Sequence, residues 1–267
     1  MKKYTKWIFM FFALSGAGYI AFSFFMAGKK KDCLEGTGSA AVEACTFLIG
    51  NHTSIFKGPY LLRRAALQEK AGKWDDVLAD LNELLAINVS APLKPEQLVA
   101  VYESLVKVQD RKGSSAETRK YLELAVQNGS KTPEIYVTLA QTYIAEKKFQ
   151  EAVNLLENAG RFDGARKHPY YNALADAYEG LGDFMKAYEA LKTGLAVPAP
   201  RPVLAATSKH LGLVCFELKS YKEAETYLGY TIKAGQPCPE CALLMTTIRG
   251  ALAEYDRPVS RPKKTRK

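Results

Sequence analysis

The sequence predicts an all-α protein, a solenoid of about five helical hairpins carried behind an N-terminal transmembrane helix. Three observations predict it. An uncharged run of 21 residues, Trp7 to Ala27, stands near the start. The centre of the chain repeats one pattern of large apolar and small residues at helical spacing. Glycines and prolines separate the repeated segments, where helices would end and begin.

Residues 1–6 form a short tail and residues 7–27 the anchor. A helix rises about 1.5 Å per residue, so the run is long enough for a hydrocarbon core of about 30 Å. Tyr4 and Trp7 stand near one end, where amphipathic rings favour the interface. The rival reading is a cleaved signal peptide, with Lys2, Lys3 and Lys6 as its basic region and Ser15-Gly16-Ala17 as its cleavage site. The apolar run continues past Ala17 and ends in Phe25-Met26-Ala27, a poor cleavage sequence. That favours an uncleaved anchor. Lysines stand on both sides of the span, so the positive-inside count gives almost a tie.

Charge excludes one class of partner. The chain carries a formal +9, but twelve basic residues lie in residues 1–31 and 257–267. The body between them holds 25 basic and 28 acidic residues. A nucleic-acid binder should carry its positive charge on a folded face, so no nucleic-acid partner is expected. The tail RPVSRPKKTRK (257–267) has no apolar periodicity and is expected to be disordered, with a capacity to touch anionic lipid or polymer.

The repeats occupy residues 59–235. One copy places Tyr136, Leu139, Ala140, Tyr143, Phe149, Ala152, Leu156 and Ala159 in register. The next has Tyr171, Leu174, Ala175, Tyr178, Phe184, Ala187, Leu191 and Gly194. A third carries Leu211, Gly212, Cys215, Tyr221, Ala224 and Leu228, and two weaker copies precede these. This pattern resembles the tetratricopeptide repeat (TPR) family, over about Ser39 to Tyr255. The resemblance implies a TPR superhelix. Small residues such as Ala140, Ala152, Ala175 and Ala187 stand where helices cross closely, and large rings fill the space between hairpins. A bulkier side chain at Ala152 or Ala187 should cost roughly 1–3 kcal/mol. Gly72, Gly113 and Gly182 fall at turns, and Pro95, Pro133, Pro169 and Pro202 suit helix starts. Residues 28–58 hold a juxtamembrane segment with a half-repeat cap, Ala41 to Ile49. Residues 236–256 hold a closing helix whose Leu243, Leu244, Ile248 and Leu252 should face the last repeat.

Five cysteines bear on the compartment. Cys33 and Cys45 flank a short Gly-containing turn at a spacing that suits a local disulfide, and Cys238 and Cys241 form Cys-Pro-Glu-Cys. Cys215 falls on a core position of a repeat, where a free thiol behaves as a small hydrophobe. Two pairs and one buried thiol fit an oxidising compartment; five reduced, unrelated thiols are the alternative. A thioredoxin-type site is disfavoured, because no βαβ pattern surrounds Cys238 and Cys241. A zinc site would need two further ligands. The sequence lacks P-loop, GxGxxG, HExxH and GxSxG motifs at plausible places, and His52, His168 and His210 lie in three different regions. No enzyme, cofactor or metal centre is expected.

The resemblance implies a concave side lined by the first helix of each hairpin. In this chain those positions are Glu103, Lys107, Val137, Gln141, Asn172, Asp176, Glu179, Lys209, Leu213 and Phe216. Family members hold extended peptides or helices there. The carboxylate-clamp subclass is disfavoured, since Asn172 and Asp176 replace its Lys and Asn. Val137, Leu213 and Phe216, expected to be exposed, suggest an amphipathic guest. The chain is also similar to single-pass envelope TPR proteins of secretion, appendage and envelope-biogenesis machines. The leading expectation is a scaffold or assembly factor at a bacterial inner membrane, with the array in the periplasm. A cytoplasm-facing regulatory adaptor and a thiol-redox protein using Cys238 and Cys241 are the alternatives.

Overall fold

The computed structural model describes residues 16–255. The first part of the predicted anchor, residues 7–15, and the tail 257–267 lie outside the described residues. Among the described residues there are thirteen α-helices, one short 3-10 turn (Ser54–Phe56) and no strand. The α-helices are α1 (Gly16–Glu35), α2 (Gly38–Asn51), α3 (Gly58–Lys70), α4 (Trp74–Asn88), α5 (Pro95–Lys112), α6 (Ser115–Gln127) and α7 (Pro133–Ala145). Then come α8 (Phe149–Ala159), α9 (His168–Gly180), α10 (Phe184–Leu195), α11 (Arg201–Glu217), α12 (Tyr221–Lys233) and α13 (Pro239–Tyr255). The chain divides into two compact units, residues 1–130 and 131–267.

In the first unit α1 runs unbroken past Ala27 and through Lys29, Lys30 and Lys31 to Glu35. No described helix is long and apolar enough to cross a membrane. The predicted half-repeat, Ala41 to Ile49, therefore has a partner: it lies in α2 and packs on α1. Phe25 meets Phe47 edge to face at 5.6 Å. Cys33 and Cys45 are disulfide-bonded across the two helices. Arg63 of α3 closes this corner by donating to the carbonyls of Cys33 (3.2 Å) and Gly36 (2.8 Å). The hairpins α3–α4 and α5–α6 follow. Between α3 and α4, Arg64 donates two hydrogen bonds to Asp80, at 2.9 and 2.5 Å, with the carboxylate side chain only 4% exposed.

The second unit holds the hairpins α7–α8, α9–α10 and α11–α12 and the closing helix α13. Ala140, Ala152, Ala175, Ala187 and Ala224 are fully buried, as the crossing positions require. Glycine at some crossings leaves no room at all. A Cβ on Gly212 would lie 2.7 Å from the Leu228 side chain, and one on Gly180 would lie 2.2 Å from the Phe149 ring. Of the four apolar positions expected to face inward on α13, Leu243 is 73% exposed. Cys241, Met245 and Ile248 form the buried stripe, with Leu244 and Leu252 at its margins. Cys241, the first residue of that stripe, is also the one bonded to Cys238.

All five hairpin turns share one backbone solution. After the first helix one residue takes a left-handed conformation, and the next N–H bonds back to a carbonyl five residues earlier: Lys73 to Gln68, Ser114 to Gln109, Lys148 to Tyr143, Asp183 to Tyr178 and Ser220 to Cys215. Three of these left-handed residues are the predicted Gly72, Gly113 and Gly182. In the other two hairpins the place is taken by Lys147 (φ 62°) and Lys219 (φ 58°), where a Cβ costs about 1 kcal/mol. The longer linkers are pinned individually. His168 Nε2 donates to the Val197 carbonyl at 2.9 Å, and its Nδ1 lies 3.0 Å from Thr207 Oγ1.

Two stability predictions follow from this packing. Lys219→Gly should raise the unfolding free energy by about 0.5–1 kcal/mol, whereas Gly212→Ala should lower it by about 1–3 kcal/mol, both read from urea denaturation. Arg64→Met should cost about 3 kcal/mol by stranding the Asp80 carboxylate, and adding Asp80→Leu should restore most of that loss.

Candidate functional site

Within the second unit the first helices touch one another, α7 against α9 and α9 against α11. The second helices α8, α10 and α12 instead pack on the first helix of the following element. First helices drawn together and second helices held apart make the side of α7, α9 and α11 the inner one. Eight of the ten predicted groove residues lie on these three helices. Glu103 and Lys107 belong to α5 in the first unit, where each is engaged. Ser130 Oγ donates to Glu103 at 2.6 Å, and Lys107 pairs with Glu69 at 2.6 Å.

The apolar members are less available than expected. Val137 is buried at 8% exposure, while Leu213 and Phe216 are half-buried. Their rings and branches complete the core: Leu213 and Phe216 pack on the cluster around Leu211, Val214 and Cys215, and Phe216 also meets Tyr221 at 6.0 Å. What stays open beside Val137 is a shallow cleft of about 190 Å³ with Glu134, Gln141, Lys167 and Tyr170 among its lining. Lys167 and Glu134 pair across it at 3.3 Å. Gln141 is exposed.

Polar groups gather between α9 and α11. His210 Nε2 contacts Glu179 Oε1 directly and lies 3.5 Å from Asp176 Oδ1. Burial works against the imidazolium, but the Glu179 bond and the nearby Asp176 charge raise His210 above its ordinary value. Burial and the Glu179 charge likewise raise the Asp176 carboxyl, against the pull of His210. Lys209 turns away and pairs with Glu240 of α13 at 2.6 Å. One turn before Asp176, Asn172 Oδ1 is buried and has no hydrogen-bond partner. Sequence reading placed Asp176, Glu179 and Asn172 on this face but missed His210. The available signal was register: His210 stands three residues before Leu213, one turn along the same helix.

Cys238 and Cys241 are disulfide-bonded with Cα atoms 5.3 Å apart. Cys215 is a buried free thiol whose pKa is pushed up to about 12 by burial. A thiol so protonated is a poor nucleophile.

Comparison with known proteins agrees with this architecture. The family model described as tetratricopeptide repeat matches residues 133–163 and 168–197, which are α7–α8 and α9–α10 with their linkers. No protein of curated function matches the sequence. Among solved structures, YrrB, a TPR protein with an unusual peptide-binding site, is 17% identical with a TM-score of 0.63, over 78% of this chain and all of that one. PilF of Pseudomonas aeruginosa is 13% identical with a TM-score of 0.54, over 73% of this chain and 84% of that one. BtubC from P. vanneervenii is 20% identical with a TM-score of 0.53, over 89% and 94%.

A carboxamide oxygen buried without a partner carries a desolvation cost and returns nothing to the fold. Asn172→Ala should therefore leave stability unchanged or raise it by up to about 1 kcal/mol in urea denaturation. A loss above about 2 kcal/mol would make the carboxamide structural. Two of the hairpins match the tetratricopeptide-repeat model, and the described chain has the fold of a TPR-like helical solenoid.

Proposed function

We propose that this chain is a non-enzymatic scaffold that holds a segment of another protein against the α7–α9–α11 side of its second unit. The observation that carries the reading is the cleft beside Val137 and Tyr170, open on the side where first helices meet. Its wall is apolar, and its rim offers one carboxylate, one ammonium and one carboxamide, Glu134, Lys167 and Gln141. An amphipathic segment fits that surface: one apolar side chain in the cleft, polar neighbours along the rim. The peptide-binding site of YrrB, a protein of similar fold, supports the same direction.

The scaffold is tethered to the inner membrane of a bacterium by residues 7–27, and its array stands in the periplasm. Support for the tether comes from the uncharged 7–27 run and from the exposed Tyr19, Ile20 and Phe24 on α1. Support for the periplasmic side comes from the two disulfides, which persist in oxidising compartments. Its role is that of an assembly factor of an envelope complex. The basic 257–267 tail adds a salt-sensitive contact to anionic lipid or polymer. A cytoplasm-facing adaptor is the second reading, favoured by the three lysines directly after the span.

Full-length protein in mild detergent, carrying a photo-crosslinker at Gln141 or at exposed Gln150 of α8, tests the groove. A defined adduct from Gln141 that is missing from Gln150 is expected, and equal labelling at both places would sink the groove reading. A reporter fused to the C-terminus decides between the two sides of the membrane.

A further inference from the structure

We propose that Asp176, Glu179 and His210 form a binding site for one divalent cation of the zinc class, clamping α9 to α11. The proposal does not depend on the partner reading above.

Geometry supplies the first argument. One donor atom from each residue lies within 4.8 Å of the other two. Ligands bound at about 2.0–2.2 Å in a tetrahedral shell stand roughly 3–4 Å apart, so small rotamer adjustments bring the three into one shell. Asp176 and Glu179 are three residues apart on α9 and share a face; His210 comes from the facing helix. Both helices are seated in one core, through Ala175 on α9 and Leu211, Val214 and Cys215 on α11. The donors are therefore held by packed backbone on both sides.

Charge supplies the second. Two carboxylates meet one imidazole, and among the described residues no Lys or Arg pairs with either carboxylate. Lys209, next to His210 in sequence, is engaged by Glu240. Even a protonated His210 offsets one negative charge of two. Half-buried Glu179 and exposed Asp176 together leave a negative charge uncompensated, and a divalent cation offsets it.

Ligand type supplies the third. One imidazole nitrogen with carboxylate oxygens favours zinc over magnesium or calcium, which prefer shells made of oxygen alone. Three protein ligands leave a position for water or for a side chain of the bound guest.

The experiment uses full-length protein without a histidine tag, unreduced, and stripped with chelator. Zinc chloride is titrated against a chromophoric chelator, with magnesium chloride as a parallel arm. The wild type should take up one zinc per chain with a Kd of about 1 μM or tighter, and magnesium should not compete. His210→Ala and Glu179→Gln should each weaken uptake by at least about tenfold. Zinc should raise the melting temperature of the wild type and leave that of the variants unchanged. Melting curves without metal check that each variant folds; should His210→Ala fail, Asp176→Asn at an exposed position reads the same loss. Absent stoichiometric uptake, or uptake equal in the wild type and the folded variants, overturns the site.

Discussion

Close approach of helices at small residues is the constraint on which the rest of this molecule depends. A single hairpin of this length exposes apolar area on both sides and is not stable by itself. Stability comes only when the next hairpin covers that area, and covering it well requires backbones near enough for side chains to interlock. Ala140, Ala152, Ala175 and Ala187 are fully buried for this reason, and Gly180 and Gly212 tolerate no Cβ. The large side chains are then determined by the small ones. Phe149 lies over Gly180, and Leu228 fills the space that Gly212 leaves.

The same constraint produces the inner side. Where first helices touch and second helices do not, a stack bends toward the first helices, and their free faces become the lining. Two kinds of surface coexist there in the second unit. Beside Val137 the face is a shallow apolar cleft with a polar rim. Between α9 and α11 it is a concentration of carboxylates around His210. The first suits the side chain of a guest polypeptide. The second is electrostatically incomplete, which a guest's cation or a metal ion would correct. Binding capacity thus comes from exposed positions of a framework whose buried positions are already committed.

The hairpin turns show how far a backbone requirement reaches into sequence. All five end their first helix with a left-handed residue and the same 6→1 hydrogen bond. Gly72, Gly113 and Gly182 announce the turn, because glycine takes that conformation freely. Lys147 and Lys219 give no such signal, and packing of the adjoining helices imposes the conformation on them. The disulfides are local in the same sense. Cys33 reaches only to α2, and Cys238 only to the first turn of α13, so neither links distant parts of the chain.

Sequence by itself determined the helical class, the number and register of the hairpins and the crossing residues, because these follow from local periodicity and side-chain volume. It also carried the cysteine pairs, whose partners are neighbours along the chain. Tertiary structure decided what depends on rotation of one helix against another. Leu243 was expected inward and faces out, because α13 turns Cys241 and Met245 to the core. Val137 was expected exposed and is buried. His210 joins Glu179 across 31 residues of sequence and lies beside Asp176 as well. Periodicity tells which side of a helix is apolar, but a few tens of degrees of rotation decide which marginal residue meets water. That rotation is set by the neighbour's side chains and is absent from the segment's own pattern.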